Sequence, residues 1–517
     1  MRSLFHVKNF GCRAARADGE AVGDALRTAD WGDAATADAD VVIVNTCSVT
    51  AEADREARAF IRRAHRLNPG AKIVVTGCYA QRAPEELAAL AGVSAVVGNS
   101  HKGLAPEIIR GLESGFASGS RASIQGNEAS ARIEPAIVSV ASVLGASKAK
   151  AAIWVDDRFA HSFLEETQLT PGVQTRPNLK IQEGCGNRCT FCVIPQTRGG
   201  SRSLAAASVL KQVEGFVAAG GLELVLSGIN LGRWGRDLAK TSAEARLVEI
   251  LGFPPFPQKD AERMGHGAIV PGLDRTTLAG LVREIFAQTD LARLRLSSIE
   301  PMDWDAEMMG LMAEFGNPQT GTARLARHAH LPLQSGSDGV LRRMHRRYRP
   351  WHYVEKVEAL LKAAGPGLTL GADVMVGFPG ETDAEFEETV ALIRSLPFGY
   401  LHLFPFSPRP GTPGWGLHLE RPVRAALVEE RMTALRALAA EKSETHRNRM
   451  IGKELEAITL HTPAEMAAKG RTSALTENFL PVEVQGDFKA NQLVRVLVCG
   501  RASEGTLVAS KVEIAPA

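Results

Sequence analysis

Cys185, Cys189 and Cys192 fall within one short stretch, KIQEGCGNRCTFCVIP, residues 180–195. Thiolates bind soft or borderline metals. A structural zinc site is closed by four ligands, usually from two cysteine pairs. This stretch offers three and no local fourth, and His161 lies well upstream. A four-iron cluster held by three thiolates leaves one iron open to a substrate or cofactor, which a closed site cannot do. The blander readings are a zinc site completed by a remote ligand, or three buried cysteines. Three more cysteines form a second, dispersed trio. Cys12 ends FHVKNFGC, Cys47 ends VVIVNTC and Cys78 ends KIVVTGC. The alternative there is three unrelated core cysteines. Cys499, in the apolar run LVRVLVCG, reads as a core residue.

Those three segments read as strands, and the elements between them set where the cysteines go. After VVIVNTC a helix begins at Thr50, a natural N-cap with Glu52 and Asp54 in its first turn, and ends at Asn68-Pro69-Gly70. This strand–helix rhythm predicts a parallel sheet with helices on its faces. Sites in such sheets form beyond the carboxyl ends of the strands, so Cys12, Cys47 and Cys78 are expected at one edge. Residues 113–172 are rich in Ser, Ala and Gly and read as a linker or insertion. Strand–helix alternation returns over 173–420, in LELVLSG, RLRLSSIEP, HAHLPLQSG, LTLGADVMVGFPG and YLHLFPFSP, and predicts a complete or partial βα barrel. Within it, 251–272 reads as a surface insertion. A long connecting helix covers 421–453. Short strands over 454–517 predict a small C-terminal β-barrel. The fold class is therefore α/β, with a parallel-sheet domain, a partial barrel and a small β-barrel in series.

The chain has 517 residues, 45% hydrophobic and 23% charged, with a net charge of +2. Several soluble domains are expected. No apolar run reaches bilayer length and the start lacks a signal-peptide core, so the expectation is a cytoplasmic protein without membrane attachment. Seven cysteines in this length argue against a disulfide scaffold. With so little net charge, nucleic-acid binding must come from a local patch. RRMHRRYR at 342–349 is the candidate, for phosphate contact; the other reading is a solvated helix face. Phe479 in TENFLPVEV is the best-placed aromatic for base stacking in the C-terminal barrel.

The spacing of Cys185, Cys189 and Cys192 resembles that of the radical S-adenosylmethionine superfamily. KIQEGCGNRCTFCVIPQTRGGSRS, NTCSVTAEADREARAFIRR, VVTGCYAQ, HLPLQSGSDGVLRRMHRRY and DVMVGFPGETDAEFEETV resemble its methylthiotransferase branch, most of all the tRNA threonylcarbamoyladenosine methylthiotransferases. The resemblance implies two [4Fe–4S] clusters. Cys185, Cys189 and Cys192 would hold the one that binds and cleaves S-adenosylmethionine. Cys12, Cys47 and Cys78 would hold an auxiliary cluster that carries the sulfur to be inserted. It also implies cofactor contacts at Ser227 and Gly228, at Ser298 and Glu300, at Gln334, and at Gly377 and Gly380. The C-terminal barrel would be of the RNA-binding TRAM type. The implied partners are a tRNA anticodon stem-loop, an electron-donor protein and a sulfur source, with the enzyme a monomer. The implied activity is 2-methylthiolation of N6-threonylcarbamoyladenosine at position 37. Isopentenyladenosine in tRNA and a ribosomal-protein aspartate are alternative substrates of the same chemistry. A non-catalytic, metal-stapled RNA-binding protein is the alternative of another class. The chain departs from the family's usual pattern after Cys12, where it reads RAARADGE.

Overall fold

The computed structural model describes residues 2–113, 151–163, 169, 175–238, 277–319, 323–502 and 505–512. The expected insertion at 251–272 lies outside the described residues. No described helix is long and apolar enough to cross a membrane.

The N-terminal strands are β1 (Leu4–Asn9), β2 (Gly32–Asp33), β3 (Val41–Thr46), β4 (Lys72–Gly77), β5 (Val93–Gly98) and β6 (Ala152–Trp154). They form one parallel sheet in the order β2-β1-β3-β4-β5-β6. All six residues of β3 are buried, as a central strand covered on both faces requires. Helices α1 (Arg13–Thr28), α2 (Ala51–Leu67) and α3 (Cys78–Arg82) follow β1, β3 and β4. The expected cap of α2 is present, with Thr50 Oγ1 accepting from the Ala53 N–H at 3.3 Å. The 113–172 segment, expected as a linker or insertion with partial order, contributes one strand, because β6 pairs in parallel with β5 at the edge of this sheet. Ser/Ala/Gly richness conceals a three-residue edge strand, too short to show a period.

The second sheet system comprises β7 (Asn178–Glu183), β8 (Arg202–Ser203), β9 (Glu223–Gly228), β10 (Arg293–Leu296), β11 (His328–His330), β12 (Thr369–Val376) and β13 (Phe398–Pro405). They pair as β10-β9-β7-β8 and β11-β12-β13. A parallel bridge from Leu294 to Leu325 joins the two groups into an arc. Apart from the antiparallel β8, the arc is parallel, so the barrel is partial. The N-terminal domain spans its open seam. On the β7 side, Lys180 is ion-paired to Asp18 of α1. On the β13 side, Arg409 Nη1 donates to Asp54 of α2 at 2.6 Å, and Ser407 Oγ accepts from the Ala51 N–H at 3.0 Å. The largest apolar core fills the barrel wall and the helices on it.

A long helix, Ala425–Asn448, leads to β14 (Glu454–Thr459), β15 (Arg471–Thr476), β16 (Pro481–Gln485), β17 (Leu493–Arg501) and β18 (Leu507–Lys511), which close into a small barrel. Strict alternation along β17 turns Val494, Val496 and Val498 inward and Cys499 outward. Cys499 is therefore exposed, not a core residue.

Candidate active site

The carboxyl edge of the N-terminal sheet collects the first trio. Cys12 caps α1, Cys47 follows β3 directly, and Cys78 opens α3 directly after β4. β1, β3 and β4 are adjacent, so the three residues meet at one edge. Gly11, at φ +95°, makes the approach possible: a Cβ there would lie 2.6 Å from Cys47 Sγ. Burial, then the neighbouring Cys12 and Cys78 thiols, push the Cys47 thiol up to about 12. Cys78 Sγ accepts from Arg198 Nε at 3.2 Å and from Asn99 Nδ2 at 3.4 Å.

The second trio lies on the loop after β7. The Cys192 N–H donates to Cys189 O and the Cys185 N–H to Gly199 O, both at 3.1 Å. Cys185 Sγ accepts from the Asn187 N–H at 3.4 Å and from Asn230 Nδ2 at 3.6 Å. Cys189 Sγ accepts from Arg346 Nη1 at 3.3 Å. Burial, then Cys189 and Cys185, raise the Cys192 thiol to about 12. His161, a conceivable fourth ligand from the sequence, instead lies against His101, with ring centroids 6.1 Å apart. Both trios thus have N–H donors bonded to sulfur, surroundings that suit an iron–sulfur cluster.

A single short helix, Ile194–Arg198, runs from the second trio to the first. It starts two residues after Cys192 and ends at the arginine bonded to Cys78. Asn99, the other donor to Cys78, also bonds Thr197 O at 2.8 Å. Arg198 belongs to a buried cluster with Asp18, Glu183, Lys102 and Lys180. Arg198 lies 2.6 Å from Glu183 and 3.0 Å from Asp18. Burial opposes the Glu183 carboxylate, but Arg198, Lys102 and Lys180 outweigh it and hold the group well below the usual range. Burial brings Lys102 down to about 8. Three basic side chains against two carboxylates leave positive charge beside Cys78, where a thiolate needs it.

The remaining expected residues separate into groups. Glu300 reaches the second trio through Arg346 Nη2, at 2.5 Å, and both line a cleft of about 410 Å³ with Cys189, Arg233, Arg236 and Arg347. Ser298 Oγ lies 2.5 Å from His330 Nδ1, inside the barrel. Gln334 is buried at φ +61°, its Oε1 without a protein partner. Ser227 Oγ is taken up by Leu179 O at 3.4 Å. Gly228 admits Gln182, whose Cβ would lie 2.9 Å from an added Cβ. Gly377 and Gly380 form a turn tied to the C-terminal connection: Glu381 Oε2 accepts from the Gly377 N–H, and Arg421 O from the Gly380 N–H.

The run at 342–349 is divided: His345, Arg346 and Arg347 line the cleft beside Cys189, while its other arginines are taken up by carboxylates. Arg343 pairs with Glu385, Arg342 and Arg349 with Asp338, Arg346 with Glu300, and Tyr348 is fully buried. Phe479 is not a free stacking platform. It packs on His328, with centroids 4.4 Å apart, beneath Arg295 and Arg13. Sequence reasoning missed Arg198, Asn99, Asn230 and Arg346. Arg198 left a signal, six residues beyond Cys192 in the TRGGSRS run, and Arg346 only its place in the basic run at 342–349.

Comparison with known proteins gives the family. The Radical SAM superfamily profile matches residues 179–393, and that of the Uncharacterized protein family UPF0004 matches residues 4–98. The chain is 33% identical to the threonylcarbamoyladenosine tRNA methylthiotransferase MtaB of Bacillus subtilis, over 87% of this chain and 82% of that one. It is 30% identical to the Thermotoga maritima MtaB, over 97% and 95%. It is also 30% identical to the tRNA-2-methylthio-N(6)-dimethylallyladenosine synthase of Parafrankia sp., over 97% and 85%. Among solved structures, the radical S-adenosylmethionine methyltransferase TsrM of Kitasatospora setae aligns with a TM-score of 0.47 at 16% identity, over 80% of this chain and 74% of that one. The chain belongs to the radical S-adenosylmethionine methylthiotransferase family.

Proposed function

We propose that this chain 2-methylthiolates N6-threonylcarbamoyladenosine beside the tRNA anticodon. Cys185, Cys189 and Cys192 would hold one four-iron cluster that binds S-adenosylmethionine, and Cys12, Cys47 and Cys78 would hold a second. When bound, the clusters would supply one-electron chemistry and the sulfur to be inserted. The observation that carries this reading is the single helix Ile194–Arg198, which starts at one trio and ends on a thiol of the other. Sulfur insertion at an unreactive carbon needs both centres within reach of one substrate atom.

The side chains do the rest. Arg198 and Arg346 donate to Cys78 and Cys189 and steady negative charge there. The arginine-lined cleft beside Cys189 suits a carboxylate or phosphate. The C-terminal barrel meets the RNA, and an electron-donor protein and a sulfur source complete the cycle. The enzyme acts as a cytoplasmic monomer. The threonylcarbamoyl substrate is supported by the relatives aligned at 33% and 30% identity, which are named for it. The dimethylallyl substrate is the second reading, on the Parafrankia relative.

Two measurements test this. Anaerobically reconstituted protein should contain about eight irons per chain; tight stoichiometric zinc in the cysteine sites, with no iron, sinks the enzyme reading. Mass spectrometry of tRNA nucleosides from a deletion strain should show the methylthio group lost from threonylcarbamoyladenosine alone. An unchanged nucleoside profile refutes the proposal, and loss from isopentenyladenosine transfers it to the second reading.

A further inference from the structure

The barrel interior holds a second cluster of donor atoms, apart from the cysteines. His330 ends β11, Asp373 lies within β12 and His402 within β13, on three adjacent strands. Asp373 is the direct register partner of His402, and His330 is the register partner of Gly371, two residues before Asp373. All three side chains therefore share one face. One ligand atom from each lies within 4.8 Å of the other two. The distances from Asp373 Oδ1 are 3.4 Å to His330 Nε2 and 3.3 Å to His402 Nδ1.

His402 Nδ1 and Asp373 Oδ1 are within hydrogen-bond reach at 3.3 Å, yet charge-assisted N–H···O bonds run at about 2.7–2.9 Å, and both contacts are longer. Two ligands each about 2.0–2.2 Å from one ion, at angles between a right angle and the tetrahedral one, lie about 3.0–3.5 Å apart. Both contacts fall in that interval. His330 is 7% exposed, and its Nε2 has no hydrogen-bond partner. The other ring nitrogen, Nδ1, is held by Ser298 Oγ at 2.5 Å. A ligating histidine is oriented in this way, with its far nitrogen fixed by a neighbour. When Nδ1 carries the proton, Nε2 turns a lone pair towards a carboxylate oxygen, an arrangement a cation relieves. His402 completes the set from the open side, its side chain 62% exposed.

The geometry points to a mononuclear site for a divalent transition-metal ion of the zinc or iron(II) class, held by His330 Nε2, Asp373 and His402 Nδ1. Two imidazoles and one carboxylate form a borderline donor set that leaves coordination positions open. Tyr400 stands beside both imidazoles, with centroids 5.9 and 5.1 Å away. Ser298 is a positioning residue that acts through His330. The inference does not rest on the choice of tRNA substrate.

Zinc is the probe. The cluster-loaded protein is incubated anaerobically with zinc sulfate, desalted, and its zinc and iron are measured by elemental analysis. Wild type should retain about one zinc per chain more than His402→Ala, with iron equal in both. Equal iron shows that the variant folds and loads its clusters, as expected for an exposed side chain. Asp373→Asn should lose the same equivalent, and Ser298→Ala should weaken zinc binding about 10–100-fold. Equal zinc in wild type and His402→Ala would place the metal elsewhere and overturn the proposal. Retention of no zinc by wild type overturns it too, leaving the three side chains as a histidine–carboxylate cluster.

Discussion

Arg198 at Cys78 and Arg346 at Cys189 are both buried, and each gives one N–H to one sulfur. A fixed positive charge beside a cluster favours its reduced form, because reduction adds negative charge. Arg346→Met should therefore make the midpoint potential of the Cys185–Cys189–Cys192 cluster more negative. A hydrogen bond to a charged group contributes about 1.5 kcal/mol or more, roughly 60 mV for a one-electron couple. A redox titration followed by electron paramagnetic resonance reads this directly, and an unshifted potential removes Arg346 from the site. The cysteines were legible in the sequence because their type and spacing already limit the chemistry. Arg346 was legible only as one charge among several. What singles it out is the left-handed backbone of His345, φ +54°, just before it, in a chain where its neighbours find surface carboxylates. Nothing in RRMHRRYR announces that turn. The His330, Asp373 and His402 cluster was hidden for another reason: its members lie on three strands far apart in sequence, and the register that aligns them is a tertiary fact.

The strands with a clear period were legible, and the short ones were not. VVIVNT and LGADVMV run apolar long enough to mark central strands, whereas the three residues of β6 and the two of β8 carry no period at all. The long helix was also legible, but not what fastens it. His446, in its last turn, is buried against β12, with Nε2 at 2.8 Å from Thr369 Oγ1. Burial, then Arg449 and Arg447, bring its pKa from the usual 6.5 down to about 4. The folded state thus takes up a proton less readily than the unfolded chain. The contribution is fully present above pH 6.5 and is lost as pH falls through 4, about 3 kcal/mol in all. The wild type should lose this stability between pH 6.5 and 4, whereas His446→Gln should lack that component. Hydrogen exchange across Ala425–Asn448 at several pH values gives the difference. Matching slopes in the two proteins would show that His446 does not fasten the helix.

At the scale of the molecule, buried ion pairs join the three domains. The Asp18, Glu183, Lys102, Lys180 and Arg198 cluster ties the N-terminal sheet to β7, and the joint between the barrel and the C-terminal domain follows the same plan. Arg327, beside β11, donates to Glu477 at 2.5 Å, with the two side chains 8% and 3% exposed. Arg295 of β10 reaches the carbonyls of Thr476 and Glu477 at 3.2 and 3.4 Å while also pairing with Glu223. Asn478 Nδ2 donates to Gly367 O at 3.0 Å. The tip of the C-terminal barrel thus plugs the end of the partial barrel where β11 and β12 begin, and Phe479 enters behind it. Removing one member of a buried pair strands the other charge, at a cost of about 3–5 kcal/mol, whereas replacing both with apolar groups of similar size is often neutral or better. Glu477→Ala should therefore lower the unfolding midpoint and expose the 449–454 connection to protease. The Arg327→Met, Glu477→Leu double variant should recover most of the loss. If the single variant behaves like wild type, the charge pair is not what docks the C-terminal domain. If the double variant is as weak as the single, specific hydrogen bonding at this joint outweighs burial, and the orientation of the RNA-facing barrel depends on it.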